Sequence, residues 1–176
     1  MPTGAVERSA EAIASSRAEL VGLSERIHGL AELSAEEVRS AAAVADLLEA
    51  HGFSVETGVG GMATAIDARF GSGELVVGLI AEYDALPEVG HACGHNIIAA
   101  SAVGAALGLA SVADKLGVEV ALIGTPAEER FGGKAIMLEA GAFDDLACAL
   151  MIHPWPFDRL DSAVLAVTQF EVTFGG

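Results

Sequence analysis

Three short, largely apolar segments constrain the fold of this chain more than any other feature. They span residues 75–81, 118–124 and 147–152. The first and third contain only apolar residues and the second has one charged residue, Glu119. Apolar runs of this length are typical of strands that are buried on both faces. Segments with helical character separate them, at about 97–109 and 134–140. This order predicts an α/β fold, with a mostly parallel twisted sheet flanked by helices.

Supporting helices are predicted in the first part of the chain. Apolar residues at three- and four-residue steps predict one helix from about Val6 to Glu32. Ser34 to Glu37 has the pattern of a capping box, which would open a second helix that ends at Gly52. We interpret both helices as scaffold.

Two further strands are predicted before the first apolar run. They cover residues 53–56 and 63–70, with a glycine-rich turn between them. The turn at 70–73 predicts a hairpin that leads directly into the strand at 75–81.

Composition limits the partners of the chain. Its 176 residues suffice for one domain, and 9 Lys and Arg against 25 Asp and Glu give a net charge of −16. This charge argues against nucleic acid and anionic membrane surfaces as partners. The longest apolar run, 97–110, is shorter than a membrane span. Few cysteines and no signal-peptide pattern predict a cytoplasmic location.

Acidic residues and a histidine follow the three apolar strands. Glu82 and Asp84 follow the first, Glu128 and Glu129 the second, and His153 the third. Because ligands bind at the carboxyl ends of strands in such sheets, we expect these residues to converge there.

A Cys-x-His pair lies in the loop after the first of these strands. Gly94 permits a turn that would direct Cys93 and His95 to one point, and the helix N-terminus downstream is expected to lower the pKa of Cys93. With Glu129 and His153, the pair could form a closed mononuclear site or most of an open dinuclear one. On an extended backbone Glu128 and Glu129 point to different sides, so only one would bind metal. The other would be a general base.

Two residues have alternative interpretations. Asp84 either fixes the tautomer of a metal-binding histidine or is a turn-forming residue before Pro87. Cys93 could instead be a thiol nucleophile with His91 or His95 as its base, but that leaves the carboxylate pair without a role.

Five motifs carry a resemblance to a known family: AEYDALP at 81–87, GHACGHN at 90–96, GTPAEE at 124–129, GGK at 132–134 and HP at 153–154. From about residue 20 onward, the chain resembles the aminoacylase/carboxypeptidase class of dinuclear metallopeptidases. Within that class it is similar to the amidohydrolase branch that includes p-aminobenzoyl-glutamate hydrolase and the β-alanyl-lysine-type dipeptidases.

The resemblance implies a metal-dependent amidohydrolase that cleaves the amide bond of an N-acyl amino acid or dipeptide-like substrate. It implies two divalent ions, Zn²⁺ or Mn²⁺. The implied ligands are Cys93, His95, Glu129 and His153, with Glu128 as catalytic base and Asp84 near the metals. Glu82 stands where many members have a ligand histidine, and it is left unassigned.

Length is the main departure from the family, whose members are about twice as long. They insert a lid and dimerisation domain and then supply a last histidine ligand, whereas no histidine follows His153 here. We therefore expect residues 1–162 to form the N-terminal part of the catalytic domain and 163–176 to begin the lid. The full-length form is expected to be a homodimer. The missing ligand leaves a non-catalytic metal-holding or interaction domain as the alternative.

Overall fold

A five-stranded mixed sheet runs through the computed structural model, which describes residues 4–160 and 172–174. The strands are β1 (Ser54–Thr57), β2 (Ile66–Gly71), β3 (Leu75–Ala81), β4 (Val118–Gly124) and β5 (Leu146–Leu150). Their order across the sheet is β1-β2-β4-β3-β5. The helices are α1 (Ala5–Ser15), α2 (Arg17–Leu30), α3 (Val38–Ala50), α4 (His95–Ala110), α5 (Ala113–Leu116), α6 (Glu128–Phe131) and α7 (Gly133–Glu139).

The three apolar segments form the parallel part of the sheet, and the predicted α/β class is confirmed. β3 lies between β4 and β5, and Leu79 is opposite Leu122 on one side and Leu150 on the other. Because these strands run in one direction, the segments that follow them meet at one edge of the sheet. That edge carries the candidate site.

The predicted hairpin between β2 and β3 is wrong. β2 pairs antiparallel with β4, which lies between β2 and β3. The residues of β4 from Val120 to Gly124 are buried, and a neighbour on each side provides that burial. After Gly71 the chain passes close to Gly117, where a Cβ on Gly73 would lie 2.1 Å from the Gly117 carbonyl oxygen.

The two helices predicted before the sheet also differ in detail. The single helix expected from Val6 to Glu32 is broken at Ser16 into α1 and α2. α3 begins after Glu37, whose side chain makes no capping hydrogen bond. The capping box is therefore wrong, because the Ser34 hydroxyl instead donates to Asp84 Oδ2 at 2.7 Å.

α4 is packed between the sheet and the first two helices. Its buried residues Ala99, Val103 and Leu107 belong to the main hydrophobic core. On the other side, a Cβ on Gly104 would touch Leu20 and one on Gly108 would touch Ile13. Both glycines therefore allow α1 and α2 to approach α4 closely.

β5 is an edge strand of the sheet within the described part of the chain. It pairs with β3 alone among these strands, and its residues from Ala147 to Leu150 are exposed. The expected burial of this segment on both faces is therefore wrong for the described part of the chain, because β5 has no second neighbouring strand there. Of the predicted start of a lid at 163–176, only residues 172–174 are described, so this prediction falls almost entirely outside the described residues. None of the described helices combines the length and apolar character that a membrane crossing requires.

Candidate metal centre

The Cys93–His95 loop meets the segment after β5 through a close contact at Gly94. Gly94 precedes α4 with φ of +86°, and a Cβ there would lie 2.9 Å from Pro154 Cγ. Glycine is favoured because both the backbone conformation and the contact exclude a side chain. As a result, Cys93 Sγ lies 3.5 Å from His153 Nε2.

His95 is the centre of the cluster. It is the first residue of α4 and is wholly buried, and its Nδ1 lies 3.0 Å from Asp84 Oδ1. An ionised carboxylate only accepts hydrogen bonds, so Nδ1 is the donor. In the neutral ring the lone pair then lies on Nε2, which has no hydrogen-bond partner.

Three acidic side chains face that free nitrogen. The distances from His95 Nε2 are 3.3 Å to Glu82 Oε2, 3.6 Å to Glu129 Oε1 and 3.8 Å to Glu128 Oε2. Glu82 Oε2 and Glu129 Oε1 are also buried without a hydrogen-bond partner. Buried polar atoms without partners are costly. A divalent cation would provide a partner for His95 Nε2, Glu82 Oε2 and Glu129 Oε1 at once, so the residues fit a metal site.

The ligand atoms form two overlapping groups. One atom from each of Cys93, His95 and His153 lies within 4.8 Å of the others, and the same holds for His95, Glu128 and Glu129. The two groups share His95 and combine sulfur, nitrogen and oxygen donors, which suits a borderline-soft divalent ion. The structure thus brings together all four residues expected to bind metal.

Asp84 organises the cluster through both carboxylate oxygens. Oδ1 accepts from His95, while Oδ2 accepts from the Ser34 hydroxyl and from the Glu129 amide, the latter at 3.1 Å. Burial alone would raise the pKa of Asp84, but these hydrogen bonds hold it below its usual value. The contact with His95 is the one expected of a residue that fixes a ligand tautomer.

The other titratable groups reflect the high density of negative charge. Burial raises the pKa of Glu128, and the nearby Glu82 raises it further. Burial and Glu129 raise the pKa of the Cys93 thiol to about 12. The expected lowering by the helix N-terminus is therefore wrong for the chain without metal, because burial and the acidic neighbours oppose the thiolate more strongly.

The Glu128–Glu129 pair lies on a short helix. Both residues belong to the first turn of α6, so they do not have the extended backbone that would direct them to opposite sides. Adjacent residues of a helix still diverge by about 100°. The side chain of Glu129 is 16% exposed and that of Glu128 is 43% exposed. The more buried carboxylate thus lies within the ligand set, and the more open one borders it.

Two contacts of the site were not apparent from the sequence. Lys134 pairs with Glu82 Oε1, which gives this unassigned residue a charged partner beside His95. Glu37 is fully buried and accepts a hydrogen bond from the Ala127 amide at 2.7 Å. The acidic pattern before α3 was the only sequence signal for Glu37, and it suggested a cap.

Comparison with curated proteins finds relatives among peptidases and amidohydrolases. A mouse Xaa-Arg dipeptidase is 39% identical over 84% of this chain and 37% of its own length. One of the subunits of the Escherichia coli p-aminobenzoyl-glutamate hydrolase is 34% identical over 94% of this chain and 39% of its own length. The chain thus spans less than half the length of these relatives. No protein-family model matches it.

The chain is also similar to a solved structure. A Bacillus subtilis protein described as a dinuclear metal-binding peptidase of the M20 family superposes with a TM-score of 0.68 at 26% identity. The match covers 77% of this chain and 42% of the solved chain.

Proposed function

Since this chain belongs to the M20 family of dinuclear metal-binding peptidases, we propose that it forms the metal-binding part of an amidohydrolase. The substrate class is an N-acyl amino acid or a dipeptide-like amide, in keeping with the names of its relatives. The observation that carries the proposal is the group of buried, unpartnered atoms around His95 Nε2.

The proposed ligands are Cys93, His95, Glu129 and His153. Two divalent ions held there would act as Lewis acids toward the substrate carbonyl and a water molecule. Zn²⁺ and Mn²⁺ are the proposed ions, and the mixed sulfur, nitrogen and oxygen donor set favours Zn²⁺.

Glu128 is the proposed general base. Its more open carboxylate borders the ligand set, so it can take a proton from an attacking water and return it to the leaving amine. In the chain without metal, burial and the nearby Glu82 raise the pKa of Glu128.

Asp84 has a supporting role in this proposal. By accepting a hydrogen bond from the Nδ1–H group it keeps the His95 lone pair on Nε2, the atom directed at the metal. It also accepts from the amide of Glu129, so one carboxylate positions two proposed ligands.

The remaining expectations extend the proposal to the whole protein. We propose that it is a cytoplasmic homodimer, and that residues 1–162 belong to the catalytic domain and 163–176 to the start of the lid. The large excess of acidic residues supports a small-molecule substrate over nucleic acid or a membrane surface.

Substitution of the base tests the function. In the full-length protein loaded with Zn²⁺ or Mn²⁺, Glu128→Gln is expected to retain both ions and to lose at least about 100-fold in hydrolysis of small N-acyl amino acids and dipeptides. Glu139→Gln, at an exposed position on α7, is the matched control. Unchanged hydrolysis in Glu128→Gln would remove this residue from its role.

The same measurements separate the alternatives. One tightly held ion without turnover in the unsubstituted protein would favour a non-catalytic metal-holding domain. Inactivation by thiol alkylation, without any effect of chelators, would favour the cysteine hydrolase. The raised pKa of Cys93, about 12, opposes the latter because the thiolate is the nucleophile.

A further inference from the structure

Glu37 lies at the base of the turn that presents the two site glutamates. It immediately precedes α3 and has no exposed surface. Its Oε1 accepts from the amides of Ala35 at 3.0 Å and Ala127 at 2.7 Å, and its Oε2 accepts from the Thr64 hydroxyl at 3.1 Å. Two segments that are distant in sequence, at Thr64 and Ala127, therefore converge on one buried carboxylate.

The turn it contacts has an unusual backbone. Ala127 directly precedes Glu128 and has φ of +59°, a left-handed conformation that residues other than glycine rarely adopt. Such a conformation persists where surrounding contacts impose it. The orientation of Glu128 depends on this residue, because the dihedral angles of Ala127 set the direction in which α6 begins.

Contacts on the two sides of Ala127 differ in origin. Its carbonyl oxygen accepts from the amides of Phe131 and Gly133, each at 3.2 Å, within the same local loop. Its amide nitrogen donates to Glu37, which is 90 residues away. The Glu37 carboxylate thus anchors this turn to α3.

A second connection joins Glu37 to the end of β3. The backbone carbonyl of Thr64 accepts a hydrogen bond of 2.6 Å from the buried Tyr83 hydroxyl. Tyr83 lies between Glu82 and Asp84, which both face His95. The buried network therefore spans the turn before Glu128 and the strand end that carries Asp84.

We propose that Glu37 is a positioning residue for the general base: it holds Ala127 in its left-handed conformation and thereby directs Glu128 to the metal centre. The proposal rests on the proposed function, because it assigns a task to Glu128. Glu37 itself contacts neither the proposed metal ligands nor the substrate.

Two substitutions in the full-length, metal-loaded protein test this role. Glu37→Ala removes both acceptor oxygens and all three hydrogen bonds, and kcat is expected to fall about 100-fold, because small displacements of a catalytic group have effects of that size. KM and the content of two ions should be retained. In Glu37→Gln, Oε1 can still accept from both amides and Nε2 can donate to the Thr64 hydroxyl, so most of kcat should be restored. Glu36→Ala, at the exposed neighbouring position, is the control.

A double-mutant cycle distinguishes positioning from general destabilisation. If Glu37 acts through Glu128, Glu37→Ala will cause little further loss of kcat in the Glu128→Gln background. An equal further loss in that background would overturn the proposal. So would wild-type kcat in Glu37→Ala, or a kcat in Glu37→Gln as low as in Glu37→Ala.

Hydrogen exchange at the Ala127 amide keeps this test independent of activity. Glu37→Ala is expected to raise the exchange rate of the Ala127 amide at least about 10-fold, because this amide loses its hydrogen-bond acceptor. The exchange rates of core amides and the ion content should not change. If the unsubstituted protein binds metal but hydrolyses no amide, the proposed function fails, and this exchange rate still decides whether Glu37 holds the turn. Unchanged protection would refute the anchoring.

Discussion

Substitution of Asp84 by asparagine should weaken metal binding although it preserves the size of the side chain. If the oxygen of the substituted side-chain amide faces His95, its nitrogen faces the backbone N–H of Glu129. Both of these groups are donors, so the hydrogen bond to Glu129 is lost. If the amide nitrogen faces His95, the ring must carry its proton on Nε2, which removes the lone pair directed at the metal. Both orientations therefore disturb a proposed ligand.

The magnitude follows from the contacts of Asp84. A hydrogen bond to a charged group contributes about 1.5–3 kcal/mol, which corresponds to about 10- to 150-fold in an equilibrium constant. Loss of a residue that orients a metal ligand typically costs about 10- to 100-fold in affinity. We therefore expect the affinity of Asp84→Asn for Zn²⁺ to fall by about 10- to 100-fold.

Competition with a chromophoric chelator at neutral pH would measure this change. Ser34→Ala is the matched control, since it removes one hydrogen bond to the same carboxylate but leaves those from His95 and Glu129. Its affinity should fall less than that of Asp84→Asn, because one hydrogen bond between a hydroxyl and this carboxylate is lost without changing the tautomer. Wild-type affinity in a folded Asp84→Asn protein would refute the role given to Asp84.

Two further predictions concern stability. Gly94→Ala should lower the free energy of unfolding by more than about 1 kcal/mol, because it forces a Cβ against Pro154 at positive φ, and an unchanged urea midpoint would contradict this. In the metal-free protein, burial opposes the charged form of His95, but Asp84 and Glu82 together raise its pKa. The contribution of charged His95 to the free energy of unfolding is therefore fully present below its unfolded-state pKa of about 6.5. It is lost as pH rises through the higher pKa of the folded state. Urea midpoints of the metal-free protein should show this loss above pH 6.5, and His95→Gln should lack that component; an identical pH dependence in the variant would exclude His95 as its source.

The central strands were predictable because the apolar composition of each segment indicates that it is buried. Residues 75–81 are apolar throughout and residues 118–124 are apolar apart from Glu119, and they form β3 and β4 with these bounds. The pairing of β2 was not predictable in the same way. A turn at 70–73 indicates that the chain changes direction, but it does not identify the strand that pairs with β2. That strand is β4, which follows about 50 residues later and is buried between two neighbouring strands.

The convergence of the candidate ligands was predictable for a similar reason, whereas the hydrogen bonds that support them were not. Cys93, His95 and His153 have side chains typical of metal sites, and they occur where parallel strands end. Glu37 resembles any acidic residue near a helix start. Its hydrogen bond to Ala127 exists only because two distant segments meet in the folded chain.

The open side of β5 has a consequence for exchange of its backbone hydrogens. In a parallel ladder, alternate residues of a strand direct their N–H groups to opposite neighbours. From Leu146 to Leu150, amides that face β3 are protected, while those on the other side have no ladder partner among the described strands. In deuterated water, the exchange rates of successive β5 amides will therefore alternate between slow and fast. If another strand paired with this edge of the sheet, all of these amides would exchange slowly.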